Sequence, residues 1–350
     1  MASQGSESKK SLISSGPITM VLALFAAVII GWSLFWFVAS RRADGALATW
    51  IEHEAAAGRS WICPDKRISG YPLEIEVSCA NPLFQGEIAG KKFTGSLRGL
   101  RVASPLLRSQ TLVAELEAPL IVKTSDGAVD AVAQWGSLGM EFVGRPEAFS
   151  RISLLGEQVT VQGLLGDLEK ASGSASNVLA YVVSPPGAAP FSYDFRLTVN
   201  DAQAPVLDSR FGLQPPVTTT IAGTITQANL AGAAKLQDSL EQWRVAGGKV
   251  DLKTIRLASG TSTLEGHGEL ALDDQHRITG NFPATIAGLE PFLQKLGVDP
   301  TLIAAGSLVA NVLGKREAGG GSRLPVPISI ADGWLSIGPV RSQVQVYPLY

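Results

Sequence analysis

A long apolar stretch near the start, residues 18–40, constrains this chain more than any other feature. No charged residue occurs between Lys10 and Arg41. The stretch holds about 23 residues, and at 1.5 Å per residue such a helix crosses the roughly 30 Å hydrocarbon layer of a bilayer. Aromatic residues near its end are typical of a membrane interface. The predicted span is marked by Ile18, Gly31, Trp32, Trp36 and Ser40.

A cleaved signal peptide is the alternative to an uncleaved anchor. The apolar core of a signal peptide is usually about 7–15 residues long, so the length favours an anchor, although the small residues at 38–40 fit a cleavage site. Two lysines precede the stretch and two arginines follow it. The positive-inside rule therefore leaves the orientation open.

The sequence predicts four segments along the chain. Residues 1–17 form a cytoplasmic tail, and 18–40 form the transmembrane anchor. Residues 41–58 read as a helical stalk that ends at a glycine, as helices commonly do. Residues 59–350 form a β-rich periplasmic domain, in which the proline-rich stretch 184–190 is a candidate boundary between two sheet modules.

Cys63 and Cys79 are the only two cysteines. Residues 61–63 and 73–79 read as strands that pair around residues 67–71, which would bring the two thiols together. A disulfide would close a loop of about 17 residues and contribute on the order of 3 kcal/mol. Two buried free thiols are the alternative. A disulfide would place the domain in an oxidising compartment such as the bacterial periplasm, which then decides the orientation of the anchor.

The rest of the chain predicts a mainly β fold with a few helices, built on a large curved antiparallel sheet. Short apolar runs alternate with turn residues, and the sequence contains 37 glycines and 20 prolines. The predicted strands are 93–102, 110–117, 120–124, 129–135, 159–162, 193–199, 218–225, 249–257, 261–272 and 328–337. The predicted helices are 234–245, 289–296 and 300–313, which would cap open sheet edges.

Composition and motifs favour no enzyme, cofactor or metal site. The formal net charge of -2 argues against a nucleic-acid partner. A nucleophile elbow is absent, and residues 86–92 lack the spacing and the hydroxyl residue of a phosphate-binding loop. His53, His267 and His276 are far apart in sequence, without metal-ligand spacing. Among them, only His267 lies between glycines, which allow a ligand to approach the backbone. Asp273 and Asp274 read as a turn.

Several segments carry a family resemblance: 31–36, 67–79, 255–274 and 328–339. Together they resemble the alphaproteobacterial envelope proteins grouped as domain of unknown function 2125. The layout of strand, G-x-G, strand and aspartate turn is also similar to proteins of the AsmA type. The first resemblance implies a cell-envelope protein and transfers no catalytic residue. The second implies an apolar groove implicated in phospholipid movement or outer-membrane homeostasis.

These features predict a single-pass protein of the inner membrane with a large periplasmic domain. Its curved sheet would present an apolar groove to a phospholipid or another acyl ligand, because such a groove needs only apolar side chains on alternating strand positions. The alternative is a tethered structural or interaction module with a closed core, which binds other envelope proteins. An enzyme is the least favoured of the three classes.

Overall fold

The structure is a computed structural model, and it describes residues 16–88, 91–108, 110–145, 148–165, 168–229, 236–288, 301, 324–338 and 340–350. Its helices are α1 (Gly16–Ala56), α2 (Pro205–Phe211) and α3 (Leu236–Val245). Helix α3 corresponds to the helix predicted at 234–245. The helix predicted at 289–296 lies outside the described residues, as does all but Thr301 of the one predicted at 300–313.

Helix α1 contains both the predicted anchor and the predicted stalk without a break. Within the described residues it is the one helix long and apolar enough to cross a membrane, with an 18-residue window of mean hydropathy 2.4. None of that window is buried against the rest of the protein. The helix ends two residues before Gly58, which has a φ of 79°.

The described residues form eighteen strands, which confirms the prediction of a mainly β fold. The strands are β1 (Ser60–Ile62), β2 (Arg67–Ser69), β3 (Glu74–Ala80), β4 (Leu83–Ile88), β5 (Lys91–Pro105), β6 (Thr111–Thr124), β7 (Val129–Gln134), β8 (Ser137–Arg145), β9 (Ala148–Leu165), β10 (Leu168–Val183), β11 (Tyr193–Ala202), β12 (Val217–Ile225), β13 (Val250–Ser259), β14 (Ser262–Leu272), β15 (Ile278–Ala287), β16 (Leu324–Ala331), β17 (Trp334–Ile337) and β18 (Val340–Gln345).

All strand pairs are antiparallel and belong to one sheet. From β8 onward each strand pairs with the next one in the chain, up to β18. Near the anchor, β5 pairs along its two halves with β4 and β3, and on its other side with β6. The second half of β6 pairs with β7 and its first half pairs with β8. Both β7 and β8 pair with β9. The predicted boundary at 184–190 connects β10 and β11, which pair with each other.

Several predicted strand boundaries are wrong. The strand predicted at 159–162 is only part of the longer β9. The strands predicted at 110–117 and 120–124 form the single strand β6, because Ala118 and Pro119 are accommodated at an irregularity in its pairing with β5. The strand predicted at 328–337 is split into β16 and β17. Asp332 and Gly333 have φ values of 53° and 76°, so they form a tight turn between the two strands.

The predicted pairing of the first hairpin is also wrong. The strand at 73–79 does not pair with the strand at 61–63; β3 pairs instead with β2, which lies in the predicted connection. Strand β1 pairs with β4. The polypeptide therefore reverses direction between β1 and β2 and again between β2 and β3. The short strands β1 and β2 lie at the end of the sheet nearest to α1.

Candidate functional site

One face of the sheet carries apolar side chains in strand after strand. Directly opposite residues of an antiparallel pair project to the same side, so the register identifies them. One row crosses from β6 to β14 through paired residues of β8, β9, β10, β11, β12 and β13. Its members are Leu112, Phe142, Ile152, Val182, Phe195, Gly223, Leu252 and Gly268. We call this side of the sheet the apolar face.

The apolar face continues at both ends of that row. Towards the anchor, Cys79 pairs with Leu100, and Val77 pairs with Val102. Towards the other end, rows join β13 to β17 through apolar and glycine positions. Their members are Ile255, Gly266, Ala284 and Val326 in one row, and Phe282, Ile328 and Ile337 in another.

The opposite side carries ion pairs between strands, and we call it the charged face. Arg101 Nη1 lies 3.1 Å from Glu115 Oε2, and its Nε lies 3.7 Å from Glu76 Oε1. Further along the sheet, Lys253 Nζ lies 3.2 Å from Asp194 Oδ1. Exposed pairs of this kind contribute little stability, usually under about 1 kcal/mol each. Their charges make this side more polar than the apolar face, but Leu155 and Leu179 are also exposed on it.

Burial of the apolar face changes along the sheet. In the later strands Leu252, Phe282 and Ile286 are buried. In the strands nearer the anchor the same face is mostly half-buried, and Leu112 on β6 retains 42 % of its surface exposed. Met140, its neighbour on β8, is also exposed. The face is therefore a packed core at one end and an accessible apolar surface at the other.

Two cavities lie on strands near the anchor and are partly polar. One of them has a volume of about 590 Å³ and is lined in part by Trp135, whose Nε1 donates a 2.7 Å hydrogen bond to the Leu116 carbonyl. A second, of about 390 Å³, is lined by Arg67, Arg98 and other charged residues beside Cys79. Within the described part of the chain no group of three His, Cys, Asp or Glu residues is placed to hold a metal ion.

Residues of the predicted span hydrogen-bond helix α1 to the start of β3. Trp32 Nε1 donates to the Pro72 carbonyl and Trp36 Nε1 to the Glu74 carbonyl, both at 2.8 Å. Ser40 is buried and donates to the Phe37 carbonyl within the helix. Of the other predicted span residues, Ile18 is exposed, and a Cβ added at Gly31 would meet open space.

Cys63 and Cys79 form the predicted disulfide, with 5.6 Å between their Cα atoms. The bond joins Cys63, which directly follows β1, to Cys79 on β3. Strands β1 and β3 do not pair with each other. Cys79 is buried on the apolar face opposite Leu100. The disulfide therefore links β1 to β3 covalently, and both of these strands contact α1.

A protein-family model supplies the identification. The model described as an uncharacterized protein conserved in bacteria (DUF2125) matches residues 36–344. The chain belongs to the DUF2125 family. The family resemblance expected from the sequence is thus confirmed, while the similarity in layout to AsmA-type proteins stays a prediction. No curated protein and no solved structure matches the chain.

In this DUF2125 chain a cluster of ionisable groups links α3 to residues 274–276 and 350. Arg244 binds Glu241 through two 2.9 Å hydrogen bonds and lies 3.0 Å from Asp274. The Tyr350 hydroxyl donates a 2.8 Å hydrogen bond to Glu241, and its ring stacks on His276. We call this cluster the Glu241 clamp. Its groups satisfy one another, which indicates a structural role.

The Glu241 clamp predicts a pH-dependent stability. The Arg244 guanidinium, and next the Tyr350 hydroxyl, lower the pKa of Glu241 from 4.5 to about 2 in the folded protein. Its stabilisation is therefore complete above pH 4.5 and disappears as the pH falls towards 2. We expect Glu241→Gln to lower Tm at pH 7, and the difference from wild type to shrink between pH 4.5 and 2. Thermal unfolding measures both.

Glu87→Gln is the control, because this exposed carboxylate lies on β4 and outside the clamp. It should leave Tm almost unchanged at either pH. A Glu241→Gln difference that stays constant down to pH 2 would contradict the assignment.

The remaining motifs are structural where the structure describes them. Asp273 Oδ1 accepts hydrogen bonds from the backbone N–H groups of Gln275 and Arg277, so it caps a turn. Residues 86–88 and 91–92 belong to β4 and β5, which pair as a hairpin. His267 is exposed on β14 beside a cavity of about 300 Å³ that Glu265 also lines. Sequence analysis missed the Glu241 clamp because its members are up to 109 residues apart.

Proposed function

We propose that this protein is a membrane-anchored protein of the bacterial cell envelope that holds acyl chains of phospholipid on its apolar face. The observation that carries the proposal is the continuous register of apolar residues from β3 to β17, on one side of a single sheet. An acyl chain is bound through non-directional burial, at roughly 0.8 kcal/mol per methylene group. Such binding requires a long apolar surface and no catalytic residue.

The accessible part of the apolar face supports the same proposal. Its most exposed member, Leu112, lies on β6, next to the strand that pairs with β3 and hence close to α1. Neighbouring strands are about 4.8 Å apart, and open sheets with this many strands curl. A curled sheet whose apolar side is concave would form a trough on that side, and the accessible part of the apolar face would then lie nearest to the membrane anchor.

The proposed location is the inner membrane, with the β-rich domain in the periplasm. The disulfide supports it, because such bonds persist in oxidising compartments and are rare in the cytosol. The apolar helix α1 and a family described as conserved in bacteria are consistent with it. Residues 1–15 would then face the cytoplasm.

A tethered interaction module is the second candidate. The buried side chains of Leu252, Phe282 and Ile286 favour it, because a filled core at that end of the sheet leaves no space for a ligand there. Such a module would bind envelope proteins through its outer surface. The two candidates differ in what contacts Leu112.

Photo-cross-linking at neighbouring positions tests the proposal. Leu112 and Val113 are adjacent on β6 and similarly exposed, at 42 % and 37 %, but they project to opposite faces. A benzophenone amino acid at position 112 of the full chain, irradiated in bacterial cells, should yield a phospholipid adduct. The same residue at position 113 should yield none. Mass spectrometry of the purified protein detects the adduct.

Equal lipid adducts at both positions would indicate non-specific contact with the membrane and contradict the proposal. Protein adducts at 112 without any lipid would favour the interaction module instead.

A further inference from the structure

The end of helix α1 that touches the sheet has two different sides. Trp32, Ser33 and Trp36 face the loop before β3 and are half-buried. Around the same turns, Leu34, Phe35, Phe37 and Val38 remain exposed. Apolar side chains on this second side continue as far as Val38, and the first charged residues after them are Arg41 and Arg42. In a bilayer spanned by α1, the hydrocarbon layer would therefore extend along the free side of the helix up to the level of Val38.

The contact with the sheet lies deeper than that level. Trp32 precedes Val38 by six residues, which is roughly 9 Å along a helix axis. At the depth of Trp32, its indole donates to the Pro72 carbonyl, and Ser33 Oγ lies 2.9 Å from the Tyr71 hydroxyl. The loop before β3 is therefore attached to the helix below the lipid surface.

The parts of the sheet at the depth of Trp32 are apolar and exposed, and the first charged residue of β3, Glu74, lies about one turn nearer the lipid surface, beside Trp36. The loop before β3 presents Tyr71 and Leu73, and the Leu106 N–H donates a 3.0 Å hydrogen bond to the Leu73 carbonyl. This bond joins the loop to the short 3-10 helix Leu106–Arg108 after β5. Leu107 there is 82 % exposed, and Leu73 is 63 % exposed. We call residues 71–73 and 106–107 the sheet tip.

We propose that the sheet tip inserts into the bilayer beside helix α1. The occupant of this surface is the headgroup and upper acyl region of the lipid leaflet in which α1 is embedded. Isolated exposed leucines are ordinary in proteins, but here they adjoin a helix that spans the membrane. Arg108 follows the tip directly and is exposed, so its guanidinium can reach lipid phosphates while its stem stays apolar.

The insertion fixes the orientation of the whole sheet relative to the membrane. Strand β3 begins and strand β5 ends beside the tip, where Glu74 pairs with Pro105. Insertion of the tip would therefore place this end of the sheet at the lipid surface. The inference requires that α1 spans the membrane, but it does not require a lipid on the apolar face. It can fail while Leu112 cross-links to phospholipid, and it can hold while Leu112 does not.

Fluorescence quenching by spin-labelled lipid tests the insertion. Leu107→Cys in the full chain is labelled with the environment-sensitive dye NBD. The labelling is carried out without reductant, so that the disulfide between Cys63 and Cys79 stays intact. The protein is placed in nanodiscs of phosphatidylcholine and phosphatidylglycerol, with or without lipid carrying a doxyl group at acyl carbon 5. We expect blue-shifted emission and a several-fold loss of intensity with doxyl lipid.

Val245→Cys is the matched control, since Val245 is 70 % exposed and apolar as well. It ends α3, whose Trp243 donates to the Thr226 carbonyl just after β12, many strands away from the tip. This label should show water-like emission and almost no quenching. Leu73→Cys should behave as Leu107→Cys does.

Two outcomes would overturn the inference. Equal quenching at 107 and 245 would mean that the tip has no special contact with lipid. A blue shift at 107 without doxyl quenching would mean that protein, such as a second copy of this chain, covers the tip.

Discussion

Phe282→Ala is expected to lower the free energy of unfolding by about 3–5 kcal/mol, because it removes a large buried side chain and leaves a cavity. Phe282 lies on β15 with only 8 % of its surface exposed. It pairs in register with Ile328, which pairs with Ile337, in the packed part of the apolar face. A Cβ added at Gly268 would lie 2.9 Å from the ring, so the phenyl group covers that glycine on β14.

The measurement is urea unfolding of the full chain in detergent micelles, followed by the far-ultraviolet β-sheet signal. Asn281→Ala is the control, since this exposed neighbour projects to the charged face and pairs with Glu269. It should change the free energy of unfolding by less than about 0.5 kcal/mol, as surface substitutions usually do. Similar losses for both variants would show that β15 is not packed on one side only.

Local alternation in the sequence was sufficient to predict many of the strands, and in one of them, residues 73–79, also which side chains share a face. In residues 73–79, apolar side chains alternate with Glu74, Glu76 and Ser78, and the structure places Ile75, Val77 and Cys79 on the apolar face. Such alternation is visible in one strand because its period of two depends on backbone geometry alone. Strands β2, β4, β8, β10, β15 and β18 escaped prediction. In β10 the alternation is weak, since its first half is rich in serine, glycine and alanine. Strand β10 forms because β9 pairs along almost its entire length.

Contacts between distant segments could not be predicted in the same way. The alternation in β1 and β3 is equally compatible with several partners, so the sequence did not reveal that β1 pairs with β4 and β3 with β2. Trp32 and Trp36 read as interfacial residues from composition. That their indole N–H groups bind Pro72 and Glu74 depends on how the sheet packs against the helix. The sheet tip follows from the same packing.

The replacement Cys63→Ala/Cys79→Ala is expected to lower the free energy of unfolding by about 3 kcal/mol, since the bond restricts a loop of about 17 residues in the unfolded chain. The separation of the two cysteines in sequence is 16. Alanine is preferred to serine because Cys79 is buried on the apolar face, where an added hydroxyl would introduce a second cost. The same urea unfolding experiment measures the difference.

Reduction of the wild-type protein provides the matched control, because it breaks the bond without changing the sequence. Dithiothreitol should destabilise wild type by a similar amount and leave the double variant unaffected. Thiol alkylation of denatured, unreduced wild type should label neither cysteine. Labelling of both, or equal stability of wild type and variant, would contradict a disulfide in the native protein. It would also remove the main support for an oxidising compartment, and with it the support for the proposed periplasmic location of the β-rich domain.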